Sequence, residues 1–392
     1  MNVEATDGST ADLPRVFLME PEAIARTRRR VAAGDAALAP AMERLAGRAG
    51  EALSVTPPSV MDKTALPPSG DRHDYMSLGT YWWPNPDTPD GRPYVRRDGR
   101  RNPEGDSLDH PRLSAMVAAC DDLALAAYLT GASRQAEAAA RLLRVWFLDD
   151  ATRMTPHLEY AQAIPGICDG RDIGIIDTAT RLPYVVDAVG LLDAVGALAP
   201  AEMDGLRTWM DRYLQWLLDS PNGRGEAGQH NNHGTWYDVQ LMALALFVGR
   251  RDVAERTAAG FGQRRIAAQI EPDGSQPFEL ARTRSLSYTT MNLVAFVRAA
   301  TLAARVGVDL WTWRSADGRS LRGALDWLSP FAIGDSTWKW EQITPVDGDG
   351  LITLYRIAAV AFAEPAYDRI SASHDGAERP HRVNLTHPGP EA

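Results

Sequence analysis

Residues 229–238, QHNNHGTWYD, put two histidines, two asparagines, a glycine and two aromatics into ten positions. Val239, Leu241, Met242, Leu244, Ala245 and Phe247 follow with helical spacing. That spacing predicts Asn231, Asn232 and His233 at the mouth of a helix, just outside its first turn. Unpaired N–H groups and the positive end of the dipole gather there and suit an anionic substrate group. His233 also fits a helix-capping or core histidine. His230 lies three residues before it, and His-x-x-His on a helix can bind zinc. No third ligand is evident nearby, so His230 reads as a supporting or solvent-facing residue and no metal is expected.

Two further stretches carry more polar and aromatic residues than a scaffold requires. Residues 276–292, QPFELARTRSLSYTTMN, place Glu279, Arg282, Arg284 and Tyr288 just before an apolar helix. Either arginine could be a plain surface charge, and Tyr288 an ordinary buried aromatic. Residues 73–111 form the largest irregular region, punctuated by Pro, Gly, Asn and Asp. Loops this long are usually functional or disordered, and Tyr75, Tyr81, Trp82 and Trp83 argue against disorder. Consecutive aromatics between Gly79 and Pro84 cannot all face inward, and aromatic faces stack on sugar rings. Arg92, Arg96, Arg97, Arg100 and Arg101 make the loop basic, as a solvated face or as a binder of polyanions. Trp338, Lys339, Trp340 and Glu341 form a similar, less specific segment, and His157, Glu159 and Tyr160 sit in a Pro-bounded loop that could line a cleft.

The elements that must hold these groups are helical. Apolar spacing predicts helices over 113–130, 134–147, 178–198, 201–219, 235–248, 253–270, 288–306, 319–328 and 351–363. Residues 21–53 read as two helical pieces, split by Gly34 and Pro40. Gly131, Gly249 and Gly307 stand where C-caps are expected. Consecutive helices joined by short turns imply stacked antiparallel hairpins, and enough of them in a circle make an all-α fold, an α/α toroid with a cleft at one end and little strand. Residues 1–20 read as an N-terminal tail, 21–383 as a single toroid domain, and 384–392 as a frayed C-terminal tail.

The chain has 392 residues, 45% hydrophobic and 23% charged, with net charge −10. That charge speaks against bulk nucleic-acid binding, while a local arginine cluster still admits an acidic polymer. Cys120 and Cys168 read as buried free thiols. No run of eighteen or more apolar residues suggests a membrane span. The polar N-terminus lacks an apolar leader core, which leaves two expectations open: a periplasmic or secreted protein whose leader has been removed, or a cytoplasmic one.

NNHGTWYD, followed by ELARTRSLSY and a helix, resembles the alginate lyase superfamily of polysaccharide lyases, and DYMSLGTYWWPNPD resembles that family's N-terminal substrate loop. The resemblance spans roughly residues 74–340. It implies an α/α toroid, β-elimination of a uronic acid polymer and no obligatory cofactor. By matching positions it implies Asn232, His233, Arg282 and Tyr288 as the catalytic set, with Tyr75, Tyr81, Trp82, Trp83, Asn231, Arg284 and Trp338 as substrate-binding residues. The step from Arg282 to Tyr288 is one residue shorter than in well-known alginate lyases, which points to a sister branch similar to lyases acting on glucuronan as well as alginate. Two other readings remain. A glycoside hydrolase on the same toroid needs two opposed carboxylates, for which Glu279, Asp238, Asp169 and Asp172 are available. A non-catalytic carbohydrate-binding protein would use the aromatic loop alone.

Overall fold

Proline opens helix after helix, because its ring presets φ and the first turn has no use for the N–H it lacks. The computed structural model describes residues 13–346, 348–375 and 381–389. The first hairpin is α1 (Pro21–Ala32) and α2 (Ala39–Ala52), divided where the sequence predicts. The irregular region holds β1 (Met76–Leu78), β2 (Trp82–Trp83) and β3 (Val95–Arg96), and leads into α3 (Asp109–Thr130) and α4 (Ser133–Leu143). Then come β4 (Tyr160–Ala163), α5 (Ile176–Ala179), α6 (Leu182–Ala194), α7 (Pro200–Asp219), α8 (Pro221–Ala227), α9 (Asn232–Val248) and α10 (Arg251–Phe261). The rest is α11 (Ala267–Gln269), α12 (Pro277–Leu280), α13 (Ser285–Ala304), α14 (Leu321–Ala332), α15 (Gly348–Phe362), α16 (Pro365–His374) and α17 (Val383–Thr386).

Two kinds of helix build the architecture. In α3, α6, α9 and α13 most residues are buried, so these helices are surrounded by protein on most sides. They pack in succession, α3 on α6, α6 on α9, α9 on α13 and α13 on α15, and form an inner ring. Outside it, α4 covers α3 and α6, α7 and α10 cover α9, α14 covers α13, and α16 covers α15. α4, α10 and α14 carry a single apolar stripe, as expected for helices with one wet face. The chain is an α/α toroid. By length and composition α3 could cross a membrane, but 78% of its most apolar window is buried inside the protein, so it serves as a core helix.

The strands serve the cleft end of the ring. β1 pairs in parallel with β4, and β2 pairs antiparallel with β3, which ties the irregular region into two short sheets. Cys120 is buried and Cys168 half-buried; both are free.

Both chain ends correct the expectation of tails. Val16, Phe17, Leu18 and Met19 are buried, and three consecutive N–H groups of this strap donate to one carboxylate: Phe17 to Asp187 Oδ1 at 2.7 Å, Leu18 to Oδ2 at 3.0 Å and Met19 to Oδ2 at 3.2 Å. Arg298 returns a hydrogen bond to the Leu18 carbonyl at 3.2 Å. At the other end, α17 packs against α1, α2 and α15, so the last residues seal the gap between the first and last hairpins. Leu385 is 0% exposed, and Arg382 pairs with Asp121 of α3. Polar spacing hid both segments because each buries only a few residues, far from their partners in sequence. Residues 1–12 of the expected N-terminal tail and 390–392 of the C-terminal one lie outside the described residues.

Asp187→Ala leaves three buried N–H groups without an acceptor. We expect a loss of about 3 kcal/mol in stability by denaturant titration, and new protease cleavage near residues 13–19. An unchanged unfolding midpoint would show that the strap holds without the carboxylate.

Candidate active site

The turn before α9 is held from below by a buried ion pair. Arg265 contacts Asp238 at 2.9 Å and donates to the carbonyls of Ala227 and Gln229, both at 2.8 Å. Two of the chain's own carbonyls are thereby pinned where α8 gives way to α9. Asn231 caps α9, its side chain accepting from the His233 N–H at 3.2 Å. Asn232 and His233 therefore lie inside the first turn rather than outside it.

The positive end of α9 is already filled. Glu279 of α12 accepts the Asn232 N–H at 2.7 Å, and the Asn232 side-chain amide donates to its two oxygens at 3.0 and 2.9 Å. The expectation that a substrate anion sits at this terminus is corrected: a carboxylate of the chain sits there. Burial pushes the Glu279 carboxyl up, and the two donors from Asn232 pull it back. His233 turns its Nδ1 to Glu226 Oε1 at 3.1 Å. Glu226 is also raised by burial, with His233 opposing.

Arg282 and Tyr288 flank the same cleft. The Arg282 guanidinium lies 3.9 Å from the centre of the Tyr288 ring. It also grips Asp98 of the irregular loop, Nη2 to Oδ1 at 2.8 Å and Nε to Oδ2 at 3.2 Å. Thr283 adds its N–H and hydroxyl to that carboxylate at 3.2 and 3.0 Å. Burial works against the Arg282 charge, but Asp98 more than compensates and its pKa is raised. Gly99, at φ 72, follows in a left-handed turn, where a Cβ would come within 2.5 Å of Thr283 Oγ1; only glycine lets the loop close this tightly on the site. The Tyr288 hydroxyl lies 2.5 Å from that of Tyr81. Burial and Tyr81 push the Tyr288 phenol up and Arg282 pulls it down, with a net rise. The Arg282 cation is thus outweighed by burial.

The cleft encloses about 800 Å³. It brings together Asn231, Asn232, His233, Arg282, Arg284 and Tyr288, with Tyr81 and Trp82 from the loop. Other expected contacts lie elsewhere. Tyr75 is wholly buried and donates to Asp177 at 3.0 Å, so it cannot touch a substrate. Trp83 donates to the Arg100 carbonyl at 2.8 Å and has Arg97 over its ring, outside the cleft. Trp338 bonds Ser285 Oγ at 2.8 Å and packs in an aromatic cluster with Trp327, Phe331 and Trp340. His157 pairs with Asp74, and Glu159 accepts from Trp216; neither residue lines the cleft.

Of the five loop arginines only Arg96 reaches the cleft wall. Arg171 and Arg181, which no motif marked, join it there. Among the described lining residues the sole carboxylate is Asp177, which accepts from Tyr75, Ser77 and Gln162. The wall is therefore strongly positive inside an acidic chain, an arrangement that draws in a polyanion. The opposed carboxylates of a hydrolase are missing among the described residues: Glu279 is beneath Asn232, Asp238 is in the Arg265 pair, and neither Asp169 nor Asp172 lines the cleft. No group of three His, Cys, Asp or Glu among the described residues is placed to hold a metal ion, and His230 is exposed.

The sequence profile of the alginate lyase family matches residues 59–338. The crystal structure of an alginate lyase from Bacteroides ovatus is 39% identical, covering 96% of this chain and 99% of that one, with a TM-score of 0.91. Alginate lyase A1-III from Sphingomonas species A1 shares the fold at 16% identity, over 83% of this chain and 89% of that one, with a TM-score of 0.51. A variant of A1-III complexed with tetrasaccharide aligns over 98% of this chain and 100% of that one, at 16% identity and a TM-score of 0.59. Among curated proteins no match is found.

Asp98→Asn keeps the shape of the loop contact and removes its charge. We expect kcat/KM on an acidic polysaccharide to fall roughly tenfold, because Arg282 loses the partner that fixes its orientation. Steady-state kinetics check this, and an unaltered kcat/KM would mean that the pair does not position the guanidinium.

Proposed function

The chain belongs to the alginate lyase family and is a polysaccharide lyase; from that premise we propose that it cleaves a β-1,4-linked polyuronate, glucuronan or mannuronate-rich alginate, by β-elimination. The observation that carries this reading is the placing of a phenol, a guanidinium, an amide and an imidazole in one positively charged cleft.

The reaction sets the roles. The proton on C5 lies α to a carboxylate and is very weakly acidic while that carboxylate keeps its charge. Neutralising donors let the enolate-like state form. Arg282 supplies a fixed cation, and Arg284, which lines the same wall, offers a second. Asn232 contributes its side-chain amide, held in place by Glu279. Tyr288, as phenolate, takes the C5 proton. The C5 electron pair forms the C4–C5 double bond, the C4–O4 bond breaks, and the same phenol returns its proton to O4. No water is consumed, and the new chain end is a 4,5-unsaturated uronate.

One residue can do both proton transfers only where C5–H and O4 lie on the same side of the ring, as in β-D-mannuronate and β-D-glucuronate. Burial opposes the phenolate. The Arg282 cation above the ring opposes that cost. His233 orients the sugar on these substrates and is the base for the C5 epimers, whose C5–H faces the other way. Trp82 and Tyr81 supply apolar faces for the sugar rings. A polymer of this kind is met outside the cytoplasmic membrane, and we place the enzyme there, periplasmic or secreted.

Tyr288→Phe keeps the ring beneath Arg282 and removes the proton carrier. We expect the ultraviolet absorbance of the unsaturated product to fall by about 10²–10⁴-fold on glucuronan and mannuronan, while polymer binding persists. Full activity in this variant would refute the assignment. A panel of glucuronan, mannuronan and guluronate-rich blocks, read by the same absorbance, identifies the substrate; faster turnover of the guluronate-rich blocks would overturn the proposed preference.

A further inference from the structure

Glu226 has no task in the elimination as described, and its position is costly. It sits on α8 with 0% exposure, and its Oε2 has no hydrogen-bond partner. Among the described residues, its carboxyl group has one hydrogen-bonding neighbour, the imidazole of His233, Nδ1 to Oε1 at 3.1 Å. Asp172 and Asp177 lie near enough to oppose its ionisation further. A buried carboxyl with one unpaired oxygen is a poor structural element, since an apolar side chain of similar size would be cheaper there. Such groups persist where they act on a neighbour.

Carboxylate chemistry specifies the action. The His233 contact favours the ionised form of Glu226 against its burial; an ionised carboxylate only accepts hydrogen bonds, so the imidazole nitrogen facing it must carry the proton. The partner of one ring nitrogen thereby fixes the state of the other. His233 also lines the cleft. With Nδ1 held by Glu226, the nitrogen left for the substrate is Nε2, with a lone pair.

We propose that Glu226 is a positioning residue for the lyase reaction: it holds His233 as the Nδ1–H tautomer and so presents Nε2 to the sugar as an acceptor. This rests on the reading above that places His233 in the catalytic set. Glu226 touches no substrate, and its effect runs through the imidazole. The lone pair lets His233 accept from a sugar hydroxyl or, on an epimer whose C5–H faces it, take the proton. In the other tautomer Nε2–H could only donate.

The test uses the full chain and three variants. Glu226→Leu removes the acceptor, Glu226→Gln keeps an amide oxygen in its place, and His233→Ala reports on the underlying assignment. The readouts are kcat and KM on the preferred polyuronate, the thermal midpoint, and the His233 tautomer from ring ¹H–¹⁵N correlations. We expect Nδ1–H in the wild type and loss of that preference in Glu226→Leu. We also expect kcat in Glu226→Leu to drop about a hundredfold with KM nearly constant and the midpoint no lower, and Glu226→Gln to fall between. An Nε2–H tautomer in the wild type, or full kcat in Glu226→Leu, overturns the proposal. So does a kcat loss matched by a lowered midpoint in both Glu226 variants with the tautomer unchanged. If His233→Ala retains full activity, the catalytic assignment fails instead, and the two failures are told apart.

Discussion

One carboxylate sets the geometry of the cleft. Glu279 accepts both the first backbone N–H of α9 and the side-chain amide of Asn232, so the helix start and the short segment 277–288 are clamped to each other. That segment also carries Arg282 and Tyr288, so the clamp sets where the guanidinium and the phenol stand relative to Asn232 and His233. A free helix N-terminus would seek any anion. By filling it internally the chain removes the helix start itself as a landing place for an outside anion. Burial works against the Glu279 charge, and the donors that oppose this are the groups it positions.

The ring architecture makes such a clamp affordable in stability. Inner helices that are surrounded by protein on most sides form a continuous core, and the cavity at one end of the ring collects the polar ends of several of them. Each inner helix has its own outer cover, so a charge buried at a helix start disturbs only its own neighbourhood. The pairs Glu279 with Asn232, Asp238 with Arg265, and Glu226 with His233 are all found within the first turns of α9 or against them. The termini take part in the same scheme: the strap under Asp187 and α17 beside α1 and α2 close the ring without entering the cleft.

Much of this was legible in the sequence, for reasons that differ residue by residue. Helices with apolar spacing were readable because burial of one face is a local pattern. Asn232, His233, Arg282 and Tyr288 were readable as a set because their spacing matches a family motif, and the fold brings them to one wall. The loop was readable as a unit but not in detail. Tyr75, Trp82 and Trp83 look alike in sequence, yet the pairing of Trp82 with Arg96 and Trp83 with Val95 sends the two tryptophans to different places, and Tyr75 is buried on Asp177. Trp338 looked like a platform and is instead part of a packed aromatic cluster. Arg171 and Arg181 left no mark, since a lone arginine beside a turn resembles any solvated charge until Gln162 of β4 holds Arg171, and the start of α6 places Arg181, at the cleft. Glu226 was hidden in α8, a helix too short and too rich in glycine to register by periodicity.

The charges also order the chemistry. Before substrate enters, Arg282 is shared between Asp98 and the Tyr288 ring, and burial keeps the phenol protonated. A uronate carboxylate brings a second negative charge beside Arg282. If the phenol ionised first, phenolate, Asp98 and substrate would all compete for one guanidinium in a site of low dielectric, where like charges a few ångström apart repel strongly. On the proposed mechanism, neutralisation of the carboxylate by Arg282 and Arg284 with the Asn232 amide therefore comes before the phenol loses its proton to solvent, or together with it. The loop enters this balance directly. Because Asp98 rides on the same irregular segment as Tyr81 and Trp82, the position of that segment sets both the aromatic faces of the cleft and the charge felt by Arg282. Substrate grip and phenol ionisation are then two consequences of one loop position, and the aromatic and acidic residues of that segment have to be understood together.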